Sequence, residues 1–121
     1  MKIENFEEIE AWKESRKLVK ELYSRFSTCR DFSFKNQIQR AGISIMSNIA
    51  EGFERNTNKE FINFLSIARG SCAEVKSLLY AALDIGYVET DMFNKLHGRI
   101  NKVNGLLNGF ISYLKSNVKR R

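Results

Sequence analysis

The side chains best suited to chemistry gather in QRAGISIMSNIAEGF, residues 39–53, which holds Arg40, Ser44, Ser47, Asn48 and Glu51; Arg55 follows and Glu74 lies further on. A catalytic serine needs a base to take its proton, and the one histidine, His97, stands far along the chain without an orienting acid nearby in sequence. Ser44 and Ser47 are therefore poor nucleophiles. Glu51 and Glu74 could serve as acid and base, but neither lies in a recognisable cleft motif, and an ion-pair role is favoured. A di-iron bundle needs Glu-x-x-His on two helices; a single histidine with Asn94 three residues before it cannot supply that set. GSCAEVK, after Arg69, lacks the Gly-x-x-x-x-Gly-Lys spacing of a phosphate loop. No catalytic residue, metal site or cofactor is expected, and His97 reads as a helix-surface residue.

The pattern of the same stretch is helical. Placed at 100° per residue from Ile38, the residues Ala41, Gly42, Ile45, Ile49 and Phe53 fall within about 60° of it, and Met46, Ala50 and Ile43 extend the arc to about 140°. The opposite arc holds Arg40, Ser44, Ser47, Asn48, Glu51 and Arg55. These six, with Glu74 of the next helix, could form a polar ladder: Arg40 reaches Ser44 and Asn48, and Glu51 is one turn from Ser47 and Arg55. Such a ladder would fix register and oligomer geometry; a solvated face is the plainer alternative. The apolar arc, about 200° wide, exceeds the ~100° stripe of a simple surface helix. Phe64, Ile67, Leu78, Ala81 and Ile85 add apolar groups to the third helix, so self-association through helices two and three is expected, against the alternative of a thick core with some exposed apolar residues.

Four elements must position these groups. With no proline, seven glycines and a 43% hydrophobic share in 121 residues, the chain is long enough to bury a core and favours an all-α fold. Helices are expected at about 6–28, 34–55, 58–85 and 91–118. Asn5 with Glu8 caps the first, Asp31 or Ser33 the second, Thr57 with Glu60 the third and Thr90 the fourth, and Gly86 ends the third. Ala11, Trp12, Ser15, Leu18, Val19, Leu22 and Phe26 line the first inward stripe. Phe93, Leu96, Ile100, Val103, Leu107, Phe110 and Leu114 line the last. Long helices joined by short turns point to one domain, 1–121, folded as an antiparallel up-and-down four-helix bundle. Gly98, Gly105 and Gly109 each weaken the fourth helix by about 1 kcal/mol relative to alanine; the last two, in GLLNG, either admit a close helix or are merely tolerated.

Charge supplies the remaining clue. Residues 1–33 hold seven bases and seven acids, 34–86 six and five, and 87–121 seven and two, so most of the net +6 lies in the last quarter. Lys95, Arg99 and Lys102 share one side of the fourth helix, and Lys115, Lys119, Arg120 and Arg121 line its end. These seven are candidate nucleic-acid contacts, suited to salt-dependent phosphate binding and without a base-reading signature. A protein partner, with the charge serving solubility, is the alternative. Cys29 and Cys72 have no CxxC partner, and MKIENFEEIE contains no apolar run that could be a secretory signal or membrane span, so reduced thiols, a cytoplasmic location and no membrane association are expected.

From Gln37 to Leu79 the chain reads QIQRAGISIMSNIAEGFERNTNKEFINFLSIARGSCAEVKSLL. The words RA, SI, SNIAEG, the following Arg55, KEF, FL, ARGS and Glu74 resemble, in order, the signature of the four-helix-bundle proteins known as the 23S rRNA intervening-sequence protein family. The resemblance implies a closed bundle, a homo-oligomeric ring of five subunits as in members of known structure, a bacterial setting and no established enzymatic activity. A more distant similarity, to a basic pentameric accessory protein of diversity-generating retroelements, implies an RNA-associated role. Many members have proline where Met46 stands and another in the turn before the second helix; this chain has neither.

Overall fold

In a computed structural model, which describes residues 2–117, the chain forms four helices and no strand among the described residues. They are α1 (Glu10–Arg25), α2 (Phe32–Phe53), α3 (Asn58–Ile85) and α4 (Thr90–Ser116), preceded by one 3-10 turn at Phe6–Glu8. Each helix packs on two neighbours: α1 and α3 both lie against α2 and α4, while the diagonal pairs bring no Cα atoms within 8 Å of each other among the described residues. Cross-helix contacts fix the directions. Ser44 meets Ser71 while Gly52 abuts Phe64; Arg69 meets Asn108 while Tyr80 meets His97; Glu14 meets Lys102 while Glu21 meets Lys95. Numbers rise on one helix as they fall on the other in every case, so the bundle is up-and-down and antiparallel. Leu18, Leu22, Ile38, Ile45, Ile49, Leu65, Leu79, Leu96, Ile100 and Leu107 fill one core with almost no exposed surface.

The expected first helix is not continuous. Asn5 and Glu8 do form their capping box, with the Asn5 amide donating to Glu8 Oε2 at 3.2 Å, but it closes only the 3-10 turn. Ile9 is then extended (φ −75°, ψ 122°), and α1 starts at Glu10. At 100° per residue a continuous helix would aim Ile9 about 180° from Leu18, into solvent. The extended residue instead turns Ile9 into the core, where it is 3% exposed, a burial worth about 2 kcal/mol. Phe6 packs edge-on against Trp12 at 5.2 Å and holds the turn down. At its other end α1 stops at Arg25 rather than 28: Phe26 has left helical geometry (φ −103°, ψ 12°), and its buried ring lies beside Phe34 at 5.7 Å.

Asp31 caps α2 by accepting from the Phe34 amide at 3.1 Å, which starts that helix at Phe32, and the helix ends at Phe53 rather than 55. Thr57 caps α3, accepting from the Glu60 amide at 3.1 Å, and Gly86 ends it at φ 92°, a left-handed conformation that side chains resist. Glu89, not Thr90, occupies the cap position of α4, with Thr90 already inside the helix; residue 118 of the expected range lies outside the described residues. The α4 seam also departs from strict heptads. A straight helix drifts about 20° per heptad, so Ile111 replaces Phe110 in the core and Phe110 rotates to lie edge-on to Phe61 at 5.3 Å.

Two contacts tie the ends of the bundle. Tyr87, in the α3–α4 turn, donates from its hydroxyl to Asp31 Oδ2 at 2.7 Å. At the opposite end Asn58 Nδ2 donates to the Asn117 carbonyl at 2.7 Å. Close helix approach comes from glycines other than the α4 trio: a Cβ on Gly52 would stand 2.6 Å from Phe64 Cβ, and one on Gly42 2.8 Å from Leu22 Cδ1. Gly98, Gly105 and Gly109 face open space.

Candidate functional site

The α2–α3 seam brings together part of the polar ladder. Ser44 and Ser71 share a hydroxyl hydrogen bond of 2.8 Å across the two helices, and Asn48 Nδ2 donates to the Ser44 carbonyl (2.8 Å) and hydroxyl (3.1 Å). Ser71, 8% exposed, is the member that sequence reasoning missed; only the pairing of α2 with α3 brings it there. Arg55 lies 3.9 Å from Glu51 and stacks over the Phe64 ring at 4.6 Å. Ser47, Arg40 and Glu74 are exposed, and no ion pair of Arg40 or Glu74 occurs among the described residues. Among the described residues Glu74 pairs with no guanidinium. Beside this network runs an apolar row on α3: Ile67 is 52% and Ile85 58% exposed, with Phe64, Leu78 and Ala81 half-buried between the same two helices and solvent.

On the α1–α4 side the basic cluster has a different character from the free patch expected. Glu21 Oε2 is 3.2 Å from Lys95 Nζ, and its other oxygen accepts from Arg99 Nε. Glu14 Oε2 is 3.1 Å from Lys17 and 3.6 Å from Lys102. Lys95, Arg99 and Lys102 are thus committed to two carboxylates of α1 whose side chains are 17% and 8% exposed. Hydrogen bonds, led by that from Lys17, outweigh burial and hold the Glu14 carboxyl below its ordinary range; at Glu21 burial opposes ionisation, but Lys95 and Arg99 still bring it down. Four cations share two anions, so the face keeps a positive surplus, and Lys17, Lys95 and Lys102 remain half or more exposed at their side chains. Lys115 is exposed and makes no ion pair among the described residues; Lys119, Arg120 and Arg121 lie outside them.

His97 is half-buried, not a plain surface residue. Its ring stacks on Phe93 at 5.2 Å, its Nε2 is 3.3 Å from the Tyr80 hydroxyl and its Nδ1 3.3 Å from Asn101 Nδ2. Neither nitrogen contacts Ser44, Ser47, Glu51 or Glu74; their partners are Tyr80 and Asn101. Among the described residues no group of three or more His, Cys, Asp or Glu side chains could hold a metal, and no helix is long and apolar enough to cross a membrane. Cys29 and Cys72 are free thiols, and burial pushes Cys72 up to about 12.

A family model described as 23S rRNA-intervening sequence protein matches residues 7–109 of the chain. Among solved structures the chain is similar to a protein of unknown function from the S23 ribosomal protein family of Bacteroides thetaiotaomicron. The two share 24% sequence identity with a TM-score of 0.79, over 84% of this chain and 97% of that one. That likeness bears on the fold alone. No match is found among curated proteins.

Proposed function

The chain belongs to the 23S rRNA-intervening sequence protein family, and on that premise we propose that it is a non-catalytic helical bundle that works as a homo-oligomer assembled through the outer face of α2 and α3. The observation that carries this reading is the row of Ile67, Leu78, Ala81 and Ile85, more than half exposed at both ends, broken only by exposed Glu74 and lying beside the Ser44–Ser71–Asn48 network. Covering such a row removes apolar surface from water at about 25 cal/mol per Å², and the fixed hydroxyl and amide groups beside it, with Arg40 and Glu74, which have no ion pair among the described residues, would select one geometry. A five-membered ring is the assembly the family resemblance implies. Light scattering tests it: a mass several times 14.0 kDa is expected, reduced to the single chain by Ile67→Glu, and a lone 14.0 kDa species at micromolar concentration would overturn it.

A second reading concerns RNA, and its supporting observation is the cation surplus on the α1–α4 face. Repeated by symmetry, that surplus and Lys115 would bind phosphates of structured RNA weakly and with strong salt dependence. The family description, which names an rRNA intervening sequence, lends support. Anisotropy titration against a structured RNA at two salt concentrations decides it; absence of binding at ~50 mM salt, where phosphate contacts are strongest, would leave a protein-interaction scaffold.

A further inference from the structure

The groove between α3 and α4 contains a cavity of about 170 Å³ lined by Cys72, Ala73, Lys76, Ile100, Asn101 and Asn104. Two side-chain bridges close the groove on either side of it: Arg69 to Asn108 at 3.0 Å and Tyr80 to His97 at 3.3 Å. Its floor is apolar. Cys72 and Ile100 are 2% and 1% exposed, and the thiol, with its ionisation suppressed by burial, adds no charge. Its rim is polar and short of partners. Lys76 is half-buried, yet no carboxylate pairs with it among the described residues, and the half-buried Asn104 side chain makes no hydrogen bond there. No acidic residue lines the cavity. On the α1–α4 side, by contrast, Lys95 and Arg99 have Glu21 as their anion. Lys76 has no such anion among the described residues and lines this cavity together with the amides of Asn101 and Asn104.

We infer that this cavity binds a small carboxylate bearing a short alkyl tail, the head held by Lys76 and Asn104 and the tail laid on Ala73, Cys72 and Ile100. A planar carboxylate offers two oxygens, one for the ammonium and one for an amide N–H, whereas the lining has neither the guanidinium nor the row of backbone amides that suit a phosphate. The volume admits a chain of a few carbons, not a fatty acid. Asn101, which also contacts His97 at 3.3 Å, flanks the mouth and can donate to the same oxygen.

Titration of the isotope-labelled full chain with butyrate, followed by amide chemical shifts, tests the site. Saturable shifts centred on Ala73, Lys76 and Asn104 are expected, weakened about tenfold or more by Lys76→Met and abolished by the cavity-filling Ala73→Leu. Butyramide, of equal shape and no charge, should bind at least about tenfold more weakly. Linear, unsaturable shifts, equal binding of butyrate and butyramide, or binding indifferent to Lys76→Met with the fold intact by the same spectra would each overturn the assignment. Inorganic phosphate binding as tightly as butyrate would overturn the ligand class.

Discussion

Glu21 on α1 and Lys95 on α4 stand 3.2 Å apart, and one heptad along each helix Glu14 and Lys102 repeat the contact at 3.6 Å. The acids sit low between the helices and the bases reach over them, so the ladder joins the chain's first and last helices where no loop connects them. It also explains why a charge surplus that is plain in composition is only partly available to a partner.

Acid should loosen that joint. Glu14 and Glu21 ionise more readily folded than unfolded, so their contribution is complete above the unfolded carboxylate range, about pH 4.3, and is lost as pH falls through their lower folded values. Thermal melts between about pH 7 and 3 should therefore show stability falling on the acid side. The double variant Glu14→Gln, Glu21→Gln should cost about 1 kcal/mol per site at neutral pH and fall less steeply below about pH 5. Parallel curves for the two proteins would count against the ladder.

Glycines on α2 and α4 should respond in opposite directions. Gly52→Ala drives a methyl to within 2.6 Å of Phe64 Cβ, an atom fixed to its helix, and should destabilise by about 1–3 kcal/mol. Gly98→Ala meets open space and should stabilise by up to about 1 kcal/mol. Urea denaturation of the two variants measures both signs.

Cysteine reactivity reports the core directly. In the folded chain a thiol reagent at mildly alkaline pH should modify the half-buried Cys29 and spare Cys72, which burial pushes up to about 12. Mass spectrometry should find one adduct before denaturation and two after it.

If RNA is bound, the basic residues divide into two classes. Lys115→Gln should weaken binding and reduce the salt slope by about 1 without moving the melting temperature. Arg99→Gln should lower stability as well, because it strips a partner from Glu21. Identical behaviour of the two in both binding and melting assays would refute this division.

Local signals were the legible part of this fold. Thr57, Glu60 and Gly86 act within a turn of their own positions, and α3 begins and ends where they place it. The break at Ile9 was hidden because the capping residues at Asn5 and Glu8 are genuine, and only the direction of the core shows that the helix must restart. The wide apolar arc of α2 had a partly internal cause: Met46 and Ala50 are half-buried, while Ile43 stays 41% exposed. Least legible were Ser71, Glu14 and Glu21. Their burial depends on a helix far away in sequence, and nothing within a turn of a glutamate on an amphipathic helix tells which of several will end against a lysine of α4. The basic residues were visible and their commitment was not.

A heptad seam is nearly degenerate to slippage: a helix displaced by seven residues, about 10.5 Å, returns apolar groups to apolar groups, and even the Glu14 and Glu21 ladder, being heptad-spaced, would keep one of its rungs. Tyr87 on Asp31 and Asn58 on the Asn117 carbonyl have no such periodic substitute. One at each end of the bundle, they make a slip of α3 against α2 or against α4 lose a bond it cannot replace, so three of the four helices are pinned to one register.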